Sequence, residues 1–412
     1  MPKIPPQENG RNMNMESKGD GNGVDSITPN EPNHIILSGK PPKEWFNKKC
    51  GQDPMLLNED DCGNFTLVKK LLSNYTSESW KCQTLSCLCP YFHGTIDTSE
   101  TKICILPSGK ALTKAIRKEY RMLTDEERKK FHDALKKLMK NGIYDEISAI
   151  HLNISRDDSY HNGNKFWNWH TGYLKRLEIE LRKIDPDVAL PYWDSTLDEN
   201  LPVSSDSIIW TDDFMGRSDE NGIVISGPAA YWTSLNGQML RRRPVLWGPL
   251  VQEGTIKYLL DETQLYKPRN ANPKFNCSYQ IKELYEQHGT IHHYVGGDLQ
   301  DLPTATNDPA FFLHHCFVDL IFELWRQQKD PSCHVSIIID DYIDETFEYA
   351  PRPTCSYENP DCGSKYLFCD PSDTGIPSCI TKISPGGLCS GIRNSHQACL
   401  DGYCNGVICV SN

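Results

Sequence analysis

Apolar side chains recur at helical spacing in four stretches of the middle of the chain. Thr124-Asp-Glu-Glu127 has the form of a capping box, and Phe131, Ala134, Leu135 and Leu138 follow at i, i+3, i+4 and i+7. Asn141-Gly142 ends that helix. A second helix is predicted over about 170–183, with Leu174, Leu177 and Leu181 on one stripe. A third is predicted over about 279–293. A fourth is capped by Asp308, has Pro309 in its first turn and runs through Trp325. Between the second and third, residues 185–275 are rich in Gly, Pro, Ser and Asp and read as loops with short strands. Helices separated by long loops predict a mainly α protein whose bundled helices use their core for a site.

The ends of the chain follow a different pattern. The Pro-, Asn-, Gly- and Glu-rich beginning has almost no apolar periodicity and is expected to be a flexible lead-in over 1–45. Seventeen cysteines are unevenly spread, with six from Cys50 to Cys104, three in the middle and eight from Cys355 to Cys409. Two even groups predict a disulfide-rich N-terminal segment, 46–105, and a C-terminal module, 351–412, flanking a central domain at 106–350. Cys277 and Cys333 form a candidate closing pair, which leaves Cys316 unpaired.

Such cysteine usage implies an oxidising compartment. Four acceptor tripeptides, at Asn64, Asn74, Asn153 and Asn276, agree with secretion. The basic start and apolar run of a signal peptide are not visible at residue 1. A net charge of −12 without a basic block argues against nucleic acid as partner. No stretch approaches the roughly 20 apolar residues of a membrane span. The C-terminal module is a candidate surface for extracellular matrix or self-association.

The histidines carry the chemistry. Of 13, six form two triples on or beside the predicted helices: His151, His161 and His170, then His288, His292 and His315. His288 and His292, four apart, leave one helix face about 6 Å from each other. One histidine on an apolar face is usually a satisfied core residue. Six in two triples, beside Phe166-Trp167-Asn168-Trp169 and Phe311-Phe312, are better explained as metal ligands. No carboxylate is interleaved at ligand spacing, unlike a di-iron bundle or a zinc protease. Two sets of three neutral imidazoles, each leaving open positions, fit copper best. His34, His93, His132, His334 and His396 belong to neither triple.

The segments FWNWHTGYLKRLE, PYWD, GPAAYWTSLNGQMLRR, HGTIHHYVGG and DPAFFLHHCFVDLIFELW together resemble the type-3 dicopper tyrosinases over about 105–345. RKEYRMLTDEERKKFHDALKKL resembles the invertebrate, mollusc-type branch. The resemblance implies a central four-helix bundle holding two copper ions. His151, His161 and His170 would bind the first copper, and His288, His292 and His315 the second, with His314 a neighbour. It implies O2 as co-substrate, hydroxylation of monophenols and oxidation of o-diphenols to o-quinones, as in pigment or tanning chemistry. Phe312 is expected near the second copper, and Asp319 to orient a nearby hydrogen bond.

Three positions depart from the family pattern. Gly289 stands where an Asn often follows the first ligand of the second triple. That Asn, with a nearby acid, helps deprotonate a phenol. Glu283 and Glu286 are the candidate acids here, and with half of the pair absent diphenol oxidation is better supported than monophenol hydroxylation. Ser159 replaces a Cys that would cross-link to His161, and Thr171 replaces an Arg after the third ligand. His293 is a candidate contact for a substrate carboxylate. The alternatives to a full tyrosinase are a diphenol-only catechol oxidase, a haemocyanin-like oxygen binder and a secreted matrix protein with masked activity.

Overall fold

The computed structural model describes residues 71–72, 77–97, 102–155, 157–161, 165–244, 248–260, 273–328, 344–371, 376–392 and 394–411. Five long helices organise them: α1 Asp125–Lys140, α2 Ile143–Ile154, α3 Phe166–Ile184, α4 Pro273–Val295 and α5 Ala310–Gln328. The chain is helix-rich, and its small sheets are two-stranded.

Helix α1 starts as its sequence dictates. The Thr124 hydroxyl accepts from the Glu127 amide at 3.2 Å, and the Glu127 carboxylate accepts from the Thr124 amide at 2.9 Å. Phe131, Ala134, Leu135, Leu138 and Met139 are buried along one face. Asn141-Gly142 ends α1 as expected, but a second helix begins at once. Gly142 supplies a φ of +83° that an L side chain would resist. Helix α2 buries Tyr144, Ile147 and Ile150 together with His151.

Helix α3 packs against α1, α2 and α5, and α5 packs in turn against α4. One apolar core runs through all five helices, from Phe131 and Leu174 to Ile291 and Phe322. Helix α5 is held at its start by Asp308. That carboxylate accepts from the Ala310 amide at 2.9 Å and is gripped by Arg242 at 2.7 and 2.8 Å.

The strands lie at the margins. Thr95–Ile96 (β1) pairs with Cys104–Ile105 (β2), beside the bridges Cys82–Cys87 and Cys89–Cys104. Ala115–Arg117 (β3) pairs in parallel with Phe347–Tyr349 (β4), joining segments on either side of the helices. In the tail, Leu367–Asp370 (β5) pairs with Ser378–Thr381 (β6), and Gly402–Cys404 (β7) with Cys409–Ser411 (β8).

The eight tail cysteines bridge among themselves: Cys355–Cys369, Cys362–Cys379, Cys389–Cys404 and Cys399–Cys409. Cys316 is free and buried in α5, as the odd count required. Cys50, Cys62 and Cys333 lie outside the described residues, and with Cys333 the expected pairing to Cys277. Among the acceptor asparagines, Asn153 is exposed on α2, while Asn64, Asn74 and the Asn276 side chain also lie outside. The tail docks on the first turn of α1, where Asp125 accepts from Lys365 at 2.6 Å and from the Tyr366 hydroxyl at 2.5 Å. A second contact joins Ser384 to the Asp206 carbonyl at 2.9 Å. Among the described residues, no helix is long and apolar enough to cross a membrane.

Candidate metal centre

Each histidine of the two triples is placed by its own element. His151 is in the last turn of α2, His161 follows a 3-10 turn at Asp158–Tyr160, and His170 is in the second turn of α3. His288 and His292 leave one face of α4, and His315 comes from α5. All six are buried. In each triple the three ligand nitrogens lie within 4.8 Å of one another, and His314 brings a fourth imidazole within the same distance in the second cluster.

The second cluster is the tighter. The Nε2 atoms of His288, His292 and His315 form a triangle with sides of 2.9, 3.1 and 3.2 Å. Two nitrogens each about 2.0–2.1 Å from one metal ion stand about 3–3.5 Å apart, so the triangle fits one ion. Proton bookkeeping strengthens the fit. The Nδ1 of His292 bonds the Leu299 carbonyl at 2.8 Å, and that of His288 the Tyr285 carbonyl at 3.3 Å. A carbonyl only accepts, so each Nδ1 carries the proton and each Nε2 a bare lone pair. With the protons so placed, two lone pairs face each other at 2.9 Å, an arrangement that a bound cation would stabilise.

A proton serves poorly in that role. Burial, reinforced by the neighbouring imidazoles, holds His288 and His315 well below the ordinary histidine value. Burial pushes His292 down to about 4. A metal ion is the cation that neutral imidazoles prefer.

The first cluster repeats the design in part, for the Nδ1 atoms of His151 and His161 are buried without a hydrogen-bond partner. His151 and His161 face each other through Nε2 at 3.1 Å. His170 donates Nδ1–H to the Phe166 carbonyl at 2.8 Å, which leaves its Nε2 buried with no hydrogen-bond partner. Burial holds His151 and His170 well below the ordinary value and pushes His161 down to about 4. The two clusters adjoin, with the rings of His170 and His315 stacked at 4.7 Å and 14°.

Aromatic rings close the space around the imidazoles. Phe311 stacks on His315 at 3.9 Å and stands edge-on to His151 at 5.1 Å. Phe166 lies 4.4 Å from His170 and 4.9 Å from His288. Phe312, the residue expected at the second cluster, instead packs against Tyr173 and Tyr144 at 5.3 and 6.0 Å. The spacing explains the exchange, since Phe311 is four residues before His315 and shares its face, whereas Phe312 is turned about 100° away.

The other expected residues are more scattered. Glu283 is half-buried and accepts from Gln287 at 2.8 Å. Glu286 is exposed, paired with Lys282 at 3.3 Å, and lies about 200° around α4 from His288. The structure therefore brings neither glutamate to the histidines. Gly289 is buried in α4, and Ser159 sits in the turn before His161. His293 is half-buried, its pKa lowered by burial against the opposing pull of Asp301. His314 donates Nε2–H to the His288 carbonyl at 3.1 Å, and its Nδ1 is buried without a partner. Asp319 accepts from the Thr171 hydroxyl at 2.5 Å, one residue after His170. His132 belongs to a separate contact with Tyr120.

Comparison with known proteins agrees with this geometry. Residues 141–328 match the common central domain of tyrosinase. A tyrosinase-like protein of Caenorhabditis elegans is 37% identical over 374 residues, covering 82% of this chain and 53% of that one. Tyrosinase-like protein 1 of the mollusc Margaritifera margaritifera is 28% identical over 61% of this chain and 57% of its own length. Tyrosinase of Streptomyces antibioticus is 29% identical over 53% of this chain and 84% of its own. The chain thus spans just over half the length of the nematode and mollusc relatives. With two histidine clusters inside the matched region, the chain belongs to the tyrosinase family.

Proposed function

We propose that the chain is a copper-dependent oxidase that uses O2 to convert phenols and o-diphenols to o-quinones. His151, His161 and His170 would hold one copper ion and His288, His292 and His315 the other. The four helices α2, α3, α4 and α5 would form the bundle around them. The observation that carries this is the pair of Nδ1-protonated imidazoles, His288 and His292, whose lone pairs face each other at 2.9 Å. Bound copper supplies the electron transfer to O2; the chain supplies ligands, orientation and dryness. Backbone carbonyls fix the imidazole planes of His170, His288 and His292, so each ring keeps its ligand nitrogen inward before any metal arrives. Phe311 and Phe166 exclude water around the rings and leave an apolar surface for a phenol.

Diphenol oxidation is the better supported half of the activity. Deprotonating a monophenol calls for a base at the site, and the two candidate glutamates bond to Gln287 and Lys282 instead. The tail of paired cysteines supports secretion and a separate C-terminal module. The test is oxygen uptake by the copper-loaded chain with a catechol and with a matched monophenol, before and after Gly289→Asn. Catechol is expected to be turned over faster, with Gly289→Asn narrowing the gap. Copper-loaded protein that consumes no O2 with catechol would overturn the enzymatic reading in favour of an oxygen binder or a masked site.

A further inference from the structure

Behind the two clusters lies a buried ionic junction that draws residues from four elements. Arg117, on β3, is 0% exposed. Its Nε and Nη2 donate to the two carboxylate oxygens of Glu178 on α3, at 3.0 and 2.9 Å. Its Nη1 donates to the Tyr349 hydroxyl of β4 at 2.9 Å and lies 3.4 Å from the Asp319 carboxylate of α5. The Phe347 ring covers the guanidinium at 3.7 Å. Asp319 also accepts from Tyr349 and from Thr171, each at 2.5 Å.

These contacts tie the two clusters together. Thr171 follows His170 directly on α3, and Asp319 is one turn beyond His315 on α5. The Thr171–Asp319 bond therefore fixes the two helices to each other beside the stacked pair of rings. A cation facing Asp319 favours its place at that crossing, because a buried carboxylate left without one must rearrange or take up a proton. Thr171 offers a hydroxyl and no charge. Arg117 is the cation in contact, and it forks between Glu178 and Asp319 in a way a lysine ammonium cannot reproduce. Both Arg117 and Tyr349 lie outside the matched domain at 141–328.

We propose that Arg117 is a positioning residue for the metal centre: from outside the central domain it holds Asp319 between α3 and α5 and so sets His170 against His315. This rests on the copper reading above. The central domain is then incomplete by itself, and the β3–β4 ribbon finishes its site.

The test uses the full chain loaded with copper. Wild type, Arg117→Lys, Arg117→Met and the double variant Arg117→Met/Thr171→Arg are challenged with excess chelator, well below each unfolding midpoint. Arg117→Met is expected to release copper about tenfold faster than wild type, with Arg117→Lys in between. Thr171→Arg, which places a guanidinium beside Asp319 from inside the domain, is expected to restore most of the retention. If Arg117→Met does not fold, Arg117→Lys with and without Thr171→Arg decides by the same comparison. Copper release at the wild-type rate in the folded variant overturns the proposal. So does a double variant that regains thermal stability without regaining copper retention. A wild-type chain that takes up no copper would overturn the underlying copper reading instead, and is told apart by metal analysis at the outset.

Discussion

Replacing Arg242 by methionine removes the cation at the start of α5, and the structure fixes what should follow. Arg242 and Asp308 are both 0% exposed, and the guanidinium grips both carboxylate oxygens, at 2.7 and 2.8 Å. Its Nη1 also donates to the carbonyls of Met215 and Gly216, at 3.1 and 3.2 Å. Methionine fills much of the volume, so packing loss is secondary. The main cost is Asp308, left buried with only the Ala310 amide for company. Breaking a buried pair by removing one partner costs about 3–5 kcal/mol. The two orphaned carbonyls push toward the upper end, at roughly 1 kcal/mol each and not fully additively. About 4 kcal/mol corresponds to a midpoint lowered by roughly 8–16 °C for a domain of this class. Thermal unfolding of the oxidised chain, followed by far-ultraviolet circular dichroism, measures it. Arg242→Met/Asp308→Asn provides the control, since asparagine keeps the cap on Ala310 without the charge. The double variant should recover at least half of the loss. A single variant within about 1 kcal/mol of wild type, or a double variant no better than the single, would refute the assignment of the loss to a stranded charge.

Other outcomes follow from the same contacts. Phe311→Ala and Phe312→Ala should each destabilise the fold by about 3–5 kcal/mol, but only Phe311→Ala should also weaken copper retention, read by metal analysis after dialysis. Equal copper retention in the two would separate the Phe311–His315 stack from metal binding. His132, half-buried beside Tyr120, is pushed down to about 3 by desolvation and by Arg128 and Lys136. Its folded-state value is lowered, so the unfolded chain takes the proton first as pH falls, and stability drops from about pH 6.5 toward pH 3. His132→Gln should reduce the slope of unfolding free energy against pH in that window by about 1.4 kcal/mol per unit, and an unchanged slope would contradict the burial.

Much of the site was legible because its determinants are local. The capping box at Thr124 and the leucine stripe of α3 depend on neighbours within two turns, and periodicity reports those. The same holds for His288 and His292, whose four-residue spacing alone puts both on one face of α4. Helix α2 was hidden by its own entrance. Asn141-Gly142 reads as a stop, yet Ile143, Tyr144, Ile147 and Ile150 already carry helical spacing, and the positive φ of Gly142 turns the chain into a new helix. Phe311 was hidden behind Phe312, although it stands four residues before His315 and so shares its face. The Arg117 junction was beyond any periodic signal, because it joins residues 202 and 232 positions apart. The tail was legible as to its partners but not its pairing. Eight cysteines allow 105 connectivities, and only packing selects the four bridges observed.

The parallel pairing of β3 with β4 also imposes an order on the making of the protein. Tyr349 is translated 232 residues after Arg117. At about 5–20 residues per second, the nascent chain carries a guanidinium awaiting its last partner for roughly 10–50 s. Every helix that bears one of the six histidines is complete before that partner emerges. Closing the ribbon thus follows every histidine-bearing helix and shuts a long loop, since its ends must meet across the whole helical region. On the proposed role of Arg117, metal delivered before that moment would meet histidines whose helices are not yet fastened.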